Sequence, residues 1–124
     1  MWPFTKSRVG DRVAPPVPDI DVREAAARVR GGAKLVDVRS AREFHHTGHS
    51  KGARSVPPDL IGRGVDALAE EADLGLDDEL LVICLSGHRS VGQAKRLAKL
   101  GYRDVKHVHG GYLAWRRAGL PVRK

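Results

Sequence analysis

The chain has one cysteine, Cys84, among 124 residues. Aromatics make up only 5%. Its longest strongly apolar run, Leu80 to Leu85, is far shorter than the ~20 residues that cross a bilayer. The start, Met1-Trp2-Pro3-Phe4-Thr5-Lys6, lacks the apolar core of roughly 7–15 residues that marks a secretory signal. A cytoplasmic location without membrane contact is therefore expected. A lone cysteine cannot form an intramolecular disulfide, so it is either a small buried apolar residue or a reactive thiol. Acidic residues are outnumbered, giving a net charge of +7. Much of the excess lies late: Lys95, Arg96, Lys99, Arg103, Lys106, Arg116, Arg117, Arg123 and Lys124. The excess suits small anions or an acidic protein partner, or it is simply a solvated face. It lacks the regular aromatic interleaving of a single-strand stacking platform, so nucleic acid is not expected.

The length suits one domain with a real core. Residues 1–18 read as an irregular basic arm, with Pro15, Pro16 and Pro18 opposing a helix. The body, 19–124, begins with a capping pattern, Asp21-Val22-Arg23-Glu24. Val22, Ala25, Ala26 and Val29 follow at helical spacing, up to Gly31-Gly32. Strands are expected at Lys34–Val38, Ala53–Val56, Leu80–Ile83 and Asp104–Val108. Helices are expected at Ala41–Thr47, Leu60–Glu71, Ser90–Leu100 and Tyr112–Ala118. This alternation argues for an α/β fold, a parallel sheet covered on both faces. Ligands of such sheets bind beyond the carboxyl ends of the strands, which is where Cys84 falls.

The segment Cys84-Leu85-Ser86-Gly87-His88-Arg89-Ser90 joins the most apolar strand to a helix start. The first N–H groups of a helix have no intrahelical partners, and together with the helix dipole they favour an anion. That anion can be the thiolate, the reactive form of cysteine. Gly87 permits the backbone turn that points successive N–H groups inward, and Ser86 and Ser90 can add hydroxyl hydrogen bonds. Arg89 adds a positive charge. Such activation needs no separate base. His88 is the nearest candidate for proton traffic, its alternative being an exposed loop residue.

Four blocks resemble the rhodanese family of single-domain sulfurtransferases. They are Leu35-Val36-Asp37-Val38-Arg39 with Glu43-Phe44; Gly48-His49-Ser50-Lys51-Gly52-Ala53 leading to Val56-Pro57; Cys84 to Ser90; and a closing segment with Gly101-Tyr102, Gly110-Gly111, Ala114-Trp115 and Ala118-Gly119-Leu120-Pro121. The resemblance implies a five-stranded parallel sheet flanked by helices on both faces. It implies a catalytic Cys84 that takes a sulfane sulfur from a donor such as thiosulfate, as a persulfide. Cyanide, a thiol or a protein would accept that sulfur, and no cofactor is required. Backbone N–H groups from Leu85, Ser86, Gly87, His88, Arg89 and Ser90 would cradle the persulfide, and Arg89 would orient the anionic donor. Phosphatases and arsenate reductases of this fold have a loop one residue longer, Cys-x5-Arg. The Cys-x4-Arg spacing here favours sulfur over a tetrahedral oxyanion. A sulfur relay or protein-interaction module without turnover is the alternative within the family.

Two positions depart from the family pattern. Ser50 replaces Ile or Val, so a core-facing hydroxyl would need a partner or looser packing. Leu85 is apolar where a polar or basic residue is common, which makes the site mouth more apolar. Asp37 and Arg39 end a strand at the site edge, either in supporting site roles or as an ion pair that fixes the cleft. His49 is expected to bond backbone in its turn, and Trp115 to lie in the core. A metal site on His45, His46 and His49, or on His107 and His109, is not expected, because Thr47-Gly48 interrupts the first group and Cys84 is the only thiolate.

Overall fold

The computed structural model describes residues 14–124. Residues 1–13 of the expected arm lie outside the described residues. The rest of the arm, 14–18, has no regular structure, yet Ala14 and Val17 pack on the core and the Pro18 carbonyl accepts a hydrogen bond from the His107 amide at 2.9 Å.

The central sheet holds β1 (Asp19–Ile20), β2 (Lys34–Asp37), β4 (Ala53–Ser55), β5 (Glu79–Ile83) and β6 (Asp104–Val108). Its spatial order is β1-β6-β5-β2-β4, and every pairing is parallel. The two-residue β1 adds a fifth strand to the four expected, and it is too short to carry an alternating pattern. Its register sets Asp19 beside His107. A separate antiparallel pair joins β3 (His49–Ser50) to β7 (Val122–Arg123).

Strand β5 occupies the middle, with both faces apolar as a doubly covered parallel strand requires. Leu80, Val82 and Cys84 belong to the core shared with α3 (Pro58–Gly62), α4 (Val65–Ala72) and α5 (His88–Leu100). Leu81 and Ile83 face the opposite core, with α1 (Val22–Arg30) and α6 (Gly111–Arg117). Asp21 caps α1 as its spacing predicts, accepting from the Glu24 amide at 2.8 Å. Trp115 is buried in the second core.

The single helix expected at Leu60–Glu71 is two, α3 and α4. The Arg63 and Gly64 amides turn back to the Leu60 and Ile61 carbonyls at 3.0 and 3.1 Å. These three-residue contacts close α3, and Gly62 and Gly64 have little propensity to continue it. The helix α2 (Ala41–His46) is secured by a reciprocal capping box of Ser40 and Glu43. No helix among the described residues is long and apolar enough to cross a membrane.

Candidate active site

Because the sheet is parallel, the carboxyl ends of β2, β5 and β6 share one edge. Cys84 directly follows β5 there and is fully buried. The helix after it begins at His88, two residues earlier than expected, and Gly87 is its cap at φ +99°. No side-chain oxygen caps α5. The Cys84 sulfur takes that place. The Gly87 amide lies 3.1 Å from Sγ, the Ser90 amide 3.3 Å, and Ser90 Oγ 3.2 Å.

Burial pushes the Cys84 thiol up. The Ser90 hydroxyl and the amides of Ser90, Gly87 and Arg89 outweigh it, so the thiol sits below its ordinary range. Each of these bonds favours the charged sulfur. Around Sγ itself the donors are these; the amides of Leu85, Ser86 and His88 do not bond it.

The first turn of α6 holds the loop from behind. Amides of Tyr112 and Leu113 donate to the Cys84 and Leu85 carbonyls at 2.8 and 3.0 Å. This approach needs Gly111, where a Cβ would lie 2.5 Å from the Leu85 oxygen.

Arg89 is half-exposed and grips Glu43 of α2 through two bonds, at 2.7 and 3.0 Å. That guanidinium holds the Glu43 carboxyl at about 2, against the opposing effect of burial, with help from the Ser40 amide. The same pair raises Arg89 above its ordinary value. Both residues wall a cleft of about 540 Å³ that also includes Val38, Ser40, Pro57 and Gln93. His88 is exposed and its Nδ1 faces the Ser86 hydroxyl at 3.1 Å.

Asp37 and Arg39 are both fully buried and joined by contacts of 2.9 to 3.2 Å. Arg39 spends its other donors on the Thr47 hydroxyl at 2.8 Å and the Gly48 carbonyl at 2.9 Å, and lies over the Tyr112 ring. The pair braces the turn after α2 and makes no hydrogen bond to the Cys84 loop. His49 bonds the Phe44 carbonyl at 3.1 Å and stacks on its ring. Among the described residues no cluster of three or more His, Cys, Asp or Glu is arranged to hold a metal.

Two partnerships escaped the sequence. Glu43 lies 46 positions from Arg89, and nothing in local spacing links them. His107 is buried on the α5 side of β6, where its Nε2 lies 2.8 Å from Ser90 Oγ. The alternation of Val105 and His107 marks that face, but the histidine's partners, Asp19 and the Gly87–Ser90 stretch, come from two distant segments.

The Rhodanese-like domain model matches residues 20–118. Thiosulfate sulfurtransferase 16, chloroplastic, from Arabidopsis thaliana is 33% identical over 112 residues, which are 84% of this chain and 91% of that protein. Thiosulfate sulfurtransferase GlpE from Vibrio cholerae is 36% identical over 104 residues, 83% of this chain and 92% of that one. Among solved structures, a protein of unknown function from Rhodopseudomonas palustris, described as a possible tyrosine phosphatase, superposes with a TM-score of 0.73 at 26% identity, covering 86% of this chain and 85% of its own. With this loop at the carboxyl edge of this sheet, the chain belongs to the rhodanese-like domain family.

Proposed function

We propose that this protein is a sulfurtransferase in which Cys84 carries a sulfane sulfur as a persulfide. The observation that carries the reading is the sulfur itself, seated as the cap of α5 by two amides and a hydroxyl. The Cys84 thiolate attacks the outer sulfur of thiosulfate. A sulfur–sulfur bond forms, the bond inside thiosulfate breaks, and sulfite leaves with its electron pair. The outer sulfur of the persulfide is then attacked by cyanide or an acceptor thiolate, and the Cys84 thiolate returns. Such a covalent intermediate gives ping-pong kinetics.

The donor enters from the cleft beside Arg89, whose guanidinium orients it by charge. Helix-cap amides then stabilise the anionic persulfide, as they do the thiolate. The tight loop, Cys84 to Arg89 with four residues between, suits one sulfur better than a tetrahedral phosphate. The likeness to the possible tyrosine phosphatase of Rhodopseudomonas palustris lies in the fold both share.

The test is an assay with thiosulfate and cyanide, with mass spectrometry of the protein after donor alone. Turnover that disappears in Cys84→Ser, with one sulfur added to the wild type, supports a transferase. A persulfide on Cys84 with negligible turnover supports a relay that hands sulfur to a protein. Neither turnover nor persulfide under reducing, donor-rich conditions rejects both.

A further inference from the structure

The buried sulfur is linked to the protein surface by a chain of polar contacts. Ser90 Oγ is 3.2 Å from Cys84 Sγ and 2.8 Å from His107 Nε2. His107 Nδ1 lies 2.7 Å from Asp19 Oδ1. Ser90 is fully buried and the His107 side chain is 5% exposed, whereas that of Asp19 is 64% exposed. These residues come from α5, β6 and β1, and only the sheet order brings them together.

A serine hydroxyl has one proton and two lone pairs. Whether its proton points at the sulfur depends on what its oxygen receives from the other side. His107 has two neighbours that only accept hydrogen bonds: the Asp19 carboxylate at Nδ1, and the Gly87 carbonyl 3.0 Å from Nε2. A ring that carries N–H at both nitrogens satisfies both. Its Nε2 then presents a hydrogen to Ser90 Oγ and the Gly87 carbonyl together, and the single hydroxyl proton is released toward Sγ. The Gly87 carbonyl contact also steadies the residue whose amide faces the same sulfur.

We propose that His107, held by Asp19, is a positioning residue that turns the Ser90 hydroxyl onto the Cys84 thiolate. It acts through Ser90 and does not touch the sulfur. The inference rests on reading Cys84 as the reacting group. The groups facing His107 are Asp19 from β1, Ser90 from α5 and the loop carbonyl of Gly87. Those facing the sulfur are the Gly87, Arg89 and Ser90 amides and the Ser90 hydroxyl, with the Arg89 charge nearby.

The experiment titrates the ultraviolet absorbance of the Cys84 thiolate, with Cys84→Ser as the blank, so a buried sulfur needs no reagent to reach it. Losing a hydrogen bond to a charged group lowers the acid dissociation constant of the thiol roughly tenfold in His107→Phe, read as an upward shift of the titration midpoint. His107→Gln, whose amide can still donate, recovers part of that loss. Asp19→Ala, on an exposed side chain, gives a smaller loss in the same direction. In a Ser90→Ala background, His107→Phe adds much less, because the hydroxyl link between ring and sulfur is gone and only the Gly87 contact remains. An unchanged titration in folded His107→Phe overturns the proposal, and so does an equal shift with and without Ser90. Should His107→Phe fail to fold, an unchanged titration in Asp19→Ala overturns it. Wild-type turnover of thiosulfate is measured alongside. Its absence counts against the sulfur-transfer reading while the titration still decides the role of His107.

Discussion

A Cβ placed on Gly111 would lie 2.6 Å from the carbonyl oxygen of Cys84. The backbone there has φ +64°, a left-handed conformation that glycine adopts without strain. This contact lets the start of α6 reach the Cys84 loop and donate the Tyr112 amide to it. Gly111→Ala therefore strains the backbone and pushes the two segments apart together. A loss of about 2 kcal/mol or more is expected in urea unfolding, with lower turnover in the folded fraction. An alanine variant of wild-type stability would show that the loop is not held this way.

The Cys84 sulfur gains its reactivity from hydrogen bonds that favour its charged form. Its acid dissociation therefore lies below the ordinary thiol range of about 8.5. Persulfide formation should rise with pH through that lowered point and level off before the range where a free cysteine ionises. The sign for stability agrees: with the folded value depressed, the contribution is full above the unfolded thiol's pKa and fades as pH falls through the folded one. Stopped-flow mixing with thiosulfate across a pH series checks the profile. A midpoint at or above that of a free thiol contradicts the cradle.

Arg89 binds Glu43 through both terminal nitrogens, at 2.7 and 3.0 Å. The fork fixes the guanidinium at the wall of the cleft. Arg89→Ala should raise KM for thiosulfate roughly tenfold, the order expected for one charge-assisted contact. Arg89→Lys keeps the charge but not the two-point grip, and so restores little of the loss. Steady-state kinetics with a neutral sulfane donor as control separates anion binding from damage to the loop. An equal defect with both donors would remove Arg89 from donor binding.

Ser50 is fully buried, and its hydroxyl has no hydrogen-bond partner among the described residues. The cost anticipated for a core-facing serine is therefore present. Ser50→Val removes the stranded polar group and adds a residue that favours strands. Stability should rise by about 1 kcal/mol in chemical denaturation, with turnover unchanged. A destabilised variant would mean that the pocket around Ser50 has no room for two methyl groups.

Much of the scaffold was legible in the chain because its signals are local. Asp21 with Glu24 marks the start of α1, and Leu80 to Ile83 is apolar on both sides because β5 is covered on both faces. The split of α3 from α4 was harder to read. Apolar spacing continues across Arg63 and Gly64, and only the turn geometry ends one helix and begins the next. Asp37 and Arg39 could be placed at the site edge from their strand. That the arginine makes no hydrogen bond to the Cys84 loop follows from where the Thr47-Gly48 turn folds back to take its donors.

The nucleophile candidate, its loop length and its setting between a buried strand and a helix start are all written in the chain. Each of these depends on neighbours a few residues apart. Which groups surround that sulfur depends instead on how the strands assemble. Glu43 meets Arg89, and Asp19 and His107 meet Ser90, because parallel strands gather their carboxyl ends at one edge whatever their distance along the chain. Side chains from distant segments become hydrogen-bond partners only after that edge has formed, and no spacing rule contains them beforehand.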